Sequence, residues 1–75
     1  MRTSGGNSRM NFGERVTNLR RKRRITQTEL AKVMEVSRMT IVNYEVGYRI
    51  PQLNFVIKIA AYFGVTLDYI AGLTE

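Results

Sequence analysis

The sequence predicts an all-α fold, a compact domain of five short helices around one core. Three observations lead there. Apolar residues recur at helical spacing, and no segment alternates as a strand would. Asn, Ser and Thr stand where helices need N-terminal caps, and glycines stand where several of them stop. The length, 75 residues, suffices for one domain and no more.

Residues 1–10 are rich in Gly, Ser, Asn and Arg and show no periodicity. They read as a flexible leader, either an expression remnant with Met10 as the natural start or a basic arm; the domain is assigned to residues 11–75. Asn11 and Glu14 stand three apart, the spacing of a reciprocal helix cap. Phe12, Val16 and Leu19 then recur on one face. This first helix ends in Arg20-Arg21-Lys22-Arg23-Arg24, and cations there are favoured by the helix dipole. Thr26 and Glu29 repeat the capping spacing and open a second helix, with Leu30, Ala31 and either Val33 or Met34 inward. A corner follows at Glu35, with Val36 after it. Ser37 caps a third helix, and Gly47 sits where a left-handed cap belongs. Tyr48 to Pro51 reads as a loop. Leu53, Val56, Ile59 or Ala60, and Phe63 form the expected inward stripe of a fourth helix, which Gly64 ends. Thr66 caps a fifth, with Leu67, Ile70 and Leu73 expected inward and Gly72 near its end. Connections of about two to five residues are expected, as in compact helical domains.

A chain this short buries only ~60% of the surface it exposes when unfolded, so nearly all of it is committed to the core. Little is left for an enzyme cleft. There is no cysteine and no histidine, which removes disulfides, thiolate metal sites and the usual proton shuttle at neutral pH. No nucleophile–base pair, metal cluster or glycine-rich phosphate loop is visible, so neither an enzyme nor a cofactor is expected. No apolar run approaches the ~20 residues of a membrane span, and the N-terminus lacks a hydrophobic signal segment. The net charge of +6 is uneven. Up to Arg49, 11 Lys/Arg stand against Glu14, Glu29, Glu35 and Glu45; beyond it, Lys58 stands against Asp68 and Glu75. The basic part contains the second and third helices, which points to a polyanion partner.

A pattern of residues carries a family resemblance: Gln27-x-x-Leu30-Ala31, then Val36-Ser37, then Ile41-x-x-Tyr44-Glu45-x-Gly47, then Pro51, Ala60 and Gly64-Val65-Thr66-Leu67. In this order and spacing, the chain resembles the lambda-repressor-like DNA-binding domains, the Cro/C1 or XRE-type helix-turn-helix family. The likeness runs from about Met10 to Leu73. It implies that helices two and three form the helix-turn-helix and that the third, about residues 37–46, enters the major groove. Placed on a wheel with Arg38 at 0°, Val42 lies at about 40°, Met39 at about 100° and Asn43 at about 140°. Ile41 and Tyr44 lie opposite, at about 300° and 240°, and form the core edge. The first four are therefore the candidate base-reading residues. Arg38 can donate two bonds to guanine, Asn43 can pair with an adenine edge or a phosphate, and Met39 and Val42 can pack on thymine methyls.

The resemblance also implies that Gln27, at the start of the second helix, bridges the DNA backbone to the recognition surface. The free N–H groups of that helix end can hold a phosphate as well. Ser37, Thr40, Tyr48, Arg49 and Lys32 are the further candidates for phosphate contact. In related domains an arginine matching Arg20 pairs with a glutamate matching Glu45, so Arg20 is expected to be structural. Arg21 to Arg24 are expected to supply only a general positive field, with Arg23→Ala barely affecting stability. Two positions depart from the family pattern: Glu35 and Arg24 stand where glycine is usual, because the backbone there needs positive φ. The implied function is a sequence-specific regulator of transcription, expected to be a repressor that binds a palindromic operator as a homodimer. A cytoplasmic setting in a bacterium or phage, associated with the nucleoid, is expected, with no small-molecule ligand and no membrane. The alternative is a protein-interaction module of the same fold, such as an antitoxin that binds a partner protein.

Overall fold

A computed structural model of the chain describes residues 11–72. The expected leader at residues 1–10 and the expected inward Leu73 lie outside the described residues. Among the described residues there are five helices and no strand: α1 (Phe12–Lys22), α2 (Gln27–Met34), α3 (Arg38–Glu45), α4 (Leu53–Phe63) and α5 (Leu67–Ile70). The helix starts follow the polar caps. Asn11 with Glu14, and Thr26 with Glu29, each form both arms of a capping box. The Ser37 and Thr66 hydroxyls accept from the N–H groups of Thr40 and Tyr69. Each cap satisfies a donor that the first helical turn leaves unpaired.

The first four helices end by one device. Arg24, Glu35, Gly47 and Gly64 adopt φ of 59°, 62°, 83° and 71°. The next residue then donates back across the last turn: Ile25 to Arg20, Val36 to Ala31, Tyr48 to Asn43 and Val65 to Ala60, at 2.9–3.2 Å. This reverses the chain and lays Ile25, Val36 and Val65 against the core. Two of the four left-handed positions are glycine. The other two, Arg24 and Glu35, carry the steric cost of a Cβ, ~1–2 kcal/mol each.

The core is one cluster of Val16, Leu30, Ala31, Met34, Ile41, Ile59, Ala60, Phe63 and Ile70. Met34 is the inward residue of α2 and Val33 faces out, while Ile59 and Ala60 are both buried. Two expected core positions are not core. Leu53 is 68% exposed and Leu67 is 41% exposed. Leu53 is the first residue of α4, more than a turn before the buried Ile59, Ala60 and Phe63, so its position along the helix rather than its angle keeps it out of the core. Phe55 takes the inward place instead, with its ring 4.9 Å from that of Tyr44. In α5, a single turn, only Ile70 reaches the core centre. The connection from α3 to α4 spans residues 46–52, longer than expected.

Two features of α1 were not visible as sequence signals. Arg15 is buried, with its guanidinium 4.2 Å from the Tyr69 ring centre, which joins α1 to α5. Gly13 is buried where α1 crosses the end of α3. A Cβ there would lie 2.5 Å from the Glu45 carbonyl oxygen and closer still to that of Tyr44. The crossing therefore fixes the seat of α3 and needs glycine at this position.

Gly13→Ala is expected to destabilise by ~1–3 kcal/mol, since backbone rather than a flexible side chain must move. Glu35→Gly is expected to stabilise. Its carboxylate gives up only an exposed contact to Lys58 at 3.8 Å, which is worth little. Relief of the left-handed strain exceeds the extra freedom of glycine in the unfolded chain, for a net gain of about 0.5–1 kcal/mol. Urea unfolding of both variants checks the two signs.

Candidate nucleic-acid interface

Helix α3 has two unlike edges. Ile41 and Tyr44 are buried, and the Tyr44 ring sits between Phe12 of α1, at 6.2 Å, and Phe55 of α4. On the other edge Arg38 and Met39 are exposed, Met39 by 56%, while Val42 and Asn43 are half-buried. The helix is thus clamped along one side while four side chains of mixed chemistry line the other.

The start of α2 packs beside the start of α3. Thr26, Gln27 and Thr28, with Arg20, Arg21, Arg24, Ile25 and Arg38, line an open cleft of about 510 Å³. Arg21, Arg24 and Arg38 thus bring positive charge to a helix N-terminus, whose first N–H groups and dipole also favour an anion. The Gln27 amide lies between the two helices: its Nε2 donates to Glu45 Oε1 at 2.9 Å, and its Oε1 accepts from Arg38 Nη2 at 3.4 Å. Ser37 and Thr40 share a hydroxyl–hydroxyl bond of 2.9 Å at the first turn of α3. Tyr48 and Arg49 are exposed in the connection after α3, and Arg49 lies 5.7 Å from the Tyr44 ring centre. Lys32 stands apart from this group. It is exposed on α2, about 140° round the helix from Gln27.

Behind the cleft lies an ion pair. Arg20 Nε and Nη2 donate to Glu45 Oε2 and Oε1 at 2.8 and 3.2 Å, and Arg20 Nη1 donates to the Ile25 carbonyl at 2.9 Å. The two side chains are 12% and 5% exposed. Burial alone pushes the Glu45 carboxyl up. Hydrogen bonds from Arg20, Gln27 and Thr17, with the Arg20 charge, outweigh it and hold the group below its ordinary value of 4.5.

Arg23 corrects an expectation. It is not a bystander in a basic run. Its Nη1 and Nη2 donate to the carbonyls of Tyr62 and Phe63 at 3.2 and 2.7 Å, capping the C-terminus of α4. The guanidinium also lies 5.2 Å from the Phe63 ring centre. These carbonyls come from the far end of the chain, and nothing in the spacing of five basic residues marks which one meets them. Among the described residues, no group of three or more His, Cys, Asp or Glu could hold a metal ion, and no helix is long and apolar enough to cross a membrane.

A sequence profile of the helix-turn-helix family matches residues 16–70, from the core of α1 to the end of α5. The chain belongs to the helix-turn-helix family, Cro/C1 type. Among relatives of this family, it is 32% identical over 66 residues to the HTH-type transcriptional regulator ImmR of Bacillus subtilis, covering 88% of this chain and 52% of the relative. It is 46% identical over 44 residues to an uncharacterized HTH-type transcriptional regulator of Methanocaldococcus jannaschii, covering 59% and 67%. The chain thus spans about half the length of the Bacillus relative. Among solved structures, the P22 c2 repressor protein in complex with a synthetic operator superposes with a TM-score of 0.75 at 26% identity, covering 81% of this chain and 92% of that one. A transcriptional regulator from Listeria innocua superposes at 0.80 with 23% identity, covering 87% and 61%, a likeness of fold. The family's helix-turn-helix is the α2–α3 pair described above.

Arg20→Ala leaves Glu45 buried without its cation. The expected cost is ~3–5 kcal/mol, a fall in Tm of more than ~10 °C for a domain of this size. Arg23→Ala is expected to lose about 1 kcal/mol, or ~4–8 °C, by uncapping α4. Thermal unfolding of the two variants measures both.

Acid should weaken the fold through Glu45. The unfolded chain takes up a proton at pH values where folded Glu45 stays charged. The stabilisation is therefore full above 4.5 and decays as the pH falls through the lowered folded value. Urea midpoints compared at about pH 7 and about pH 3 should differ less in Glu45→Gln than in the parent chain.

Proposed function

We propose that this chain is a sequence-specific double-stranded DNA-binding regulator of transcription, acting as a repressor, with α3 in the major groove. The observation that carries the reading is the division of α3. One edge is clamped by Ile41 and Tyr44, while Arg38, Met39, Val42 and Asn43 are left on the other, beside a cleft bordered by four arginines. A helix held in this way can present side chains to base edges without itself reordering. Arg38 would read a guanine, Asn43 an adenine edge, and Met39 and Val42 thymine methyls. Gln27, Ser37, Thr40, Tyr48 and Arg49 would contact phosphates and set the register, while Lys32, on another side of α2, would add only to the positive field. Relatives described as transcriptional regulators, and a repressor of like fold bound to an operator, support this reading.

The same proposal includes binding as a homodimer to a palindromic operator, with half-sites about one turn apart, the arrangement common for helix-turn-helix proteins. A cytoplasmic, nucleoid-associated location follows from the same reading.

In vitro selection from random duplexes tests the proposal. The enriched half-site is expected to combine one G·C pair with neighbouring A·T pairs, and enriched sites lacking both features would sink it. Preference over random DNA should reach ~10³-fold or more. Affinity should fall steeply with salt as counterions are released. Arg38→Ala should relax discrimination at one G·C pair by ~1–3 kcal/mol. The particle mass in solution, with and without the selected duplex, tests the dimer.

A further inference from the structure

We propose that Glu45 is a positioning residue for base reading: through the Gln27 amide it holds the Arg38 guanidinium at the reading edge of α3. The proposal rests on the reading of Arg38 as a base contact.

The chemistry of the three groups fixes the arrangement. A carboxylate can only accept hydrogen bonds and a guanidinium can only donate them, whereas a glutamine amide does one at each end. Placed between Glu45 and Arg38, the Gln27 amide has one orientation that satisfies both. Its Nε2 must face Glu45 and its Oε1 must face Arg38, as found at 2.9 and 3.4 Å. Glu45 is itself immobilised by two bonds from Arg20, whose third nitrogen is held by the Ile25 carbonyl. The order therefore runs from a buried pair at the end of α3, across α2, to an exposed side chain at the start of α3. Arg38 and Glu45 are two turns apart, so they fall within about 20° on the same side of α3. Gln27 on the neighbouring helix spans the gap between them.

The link to Arg38 is the long one, so it steers the guanidinium rather than locking it. A free arginine on an exposed helix start samples many rotamers, and a base contact must then order it. Restricting it beforehand reduces that entropic loss. Gln27 keeps one Nε2 hydrogen for another acceptor, such as a phosphate. Its loss therefore has two separable consequences. Losing a phosphate contact weakens binding to all sequences alike, whereas losing the hold on Arg38 weakens discrimination at one base pair.

The experiment uses duplexes selected by the parent chain, together with the set carrying each single base-pair change. Arg38→Ala first identifies the pair that Arg38 reads; if no pair loses preference, the base-reading assignment itself fails. Gln27→Met keeps the length of the side chain and removes both bonds while leaving the Arg20–Glu45 pair in place. It is expected to lower discrimination at that same pair by about tenfold, the low end of what a bidentate arginine–guanine contact supplies. Discrimination at the other pairs should be unchanged. Glu45→Met, which leaves Gln27 Nε2 no acceptor, is expected, measured well below its melting temperature, to give the same loss at the same pair. The double variant should add nothing further. Weaker binding to all sequences in Gln27→Met with discrimination at the Arg38 pair unchanged, or an equal fall in discrimination at every pair, overturns the proposal even where Arg38→Ala behaves as expected. The Nε–H resonance of Arg38 in the DNA-free protein is a second readout that does not need Glu45→Met to fold: it should move in Gln27→Met, and an unmoved resonance overturns the proposal.

Discussion

Glu45 brings a negative charge to a place where its side chain is 5% exposed, and much of the domain is arranged around that fact. Burial alone would drive the carboxyl toward its neutral form. Arg20 answers it with two donors, one to each carboxylate oxygen, the paired form in which a guanidinium binds most strongly. The third Arg20 nitrogen holds the Ile25 carbonyl, so the pair also fixes the turn between α1 and α2. Gln27 supplies another donor from the first position of α2. One carboxylate at the last residue of α3 thereby joins the end of α1, the start of α2 and α3 itself. The Gly13 crossing makes this possible by letting the α1 backbone approach the carbonyls of Tyr44 and Glu45.

Around this junction the helix ends do the topological work. Four reversals built on left-handed residues turn the chain within a few residues, and three of them deliver an apolar side chain to the core. Short helices gain little stability from propensity alone, so their ends and their tertiary contacts decide whether they form. This explains how Arg24 and Glu35 persist where glycine is easier. The bonds from Ile25 and Val36 back across the preceding turn, and the packing of both side chains, outweigh the local strain. The same economy of contacts appears at α4, where Arg23 caps carbonyls that the helix cannot satisfy internally.

The helix-turn-helix inherits its rigidity from these contacts. Helix α3 is only Arg38–Glu45, too short to be stable alone. It is fixed at its base by the buried pair, along one side by Ile41 and the ring contacts of Tyr44, and at its start by Ser37. What remains on its outer edge is held by the domain without being used by it.

The sequence by itself determined the number and order of helices, their capped starts, the glycine stops and the two edges of α3. These are local properties: a cap acts across three residues, a helical stripe repeats every three or four, and a left-handed cap follows from where the periodicity stops. The resemblance to a known family added the pairing of Arg20 with Glu45 and the left-handed backbone at Arg24 and Glu35, which no local rule contains. Only the tertiary structure decided which apolar residues at helix starts reach the core. Leu53 and Leu67 fit the spacing, but each opens its helix, and the core lies elsewhere. It also decided that Gly13 must be small, that Arg15 is buried against Tyr69, that Arg23 caps a distant helix and that Gln27 faces both Glu45 and Arg38. Each of these depends on groups brought together from different helices, and the direction in which one helix meets another is set by packing that no single stretch of sequence encodes.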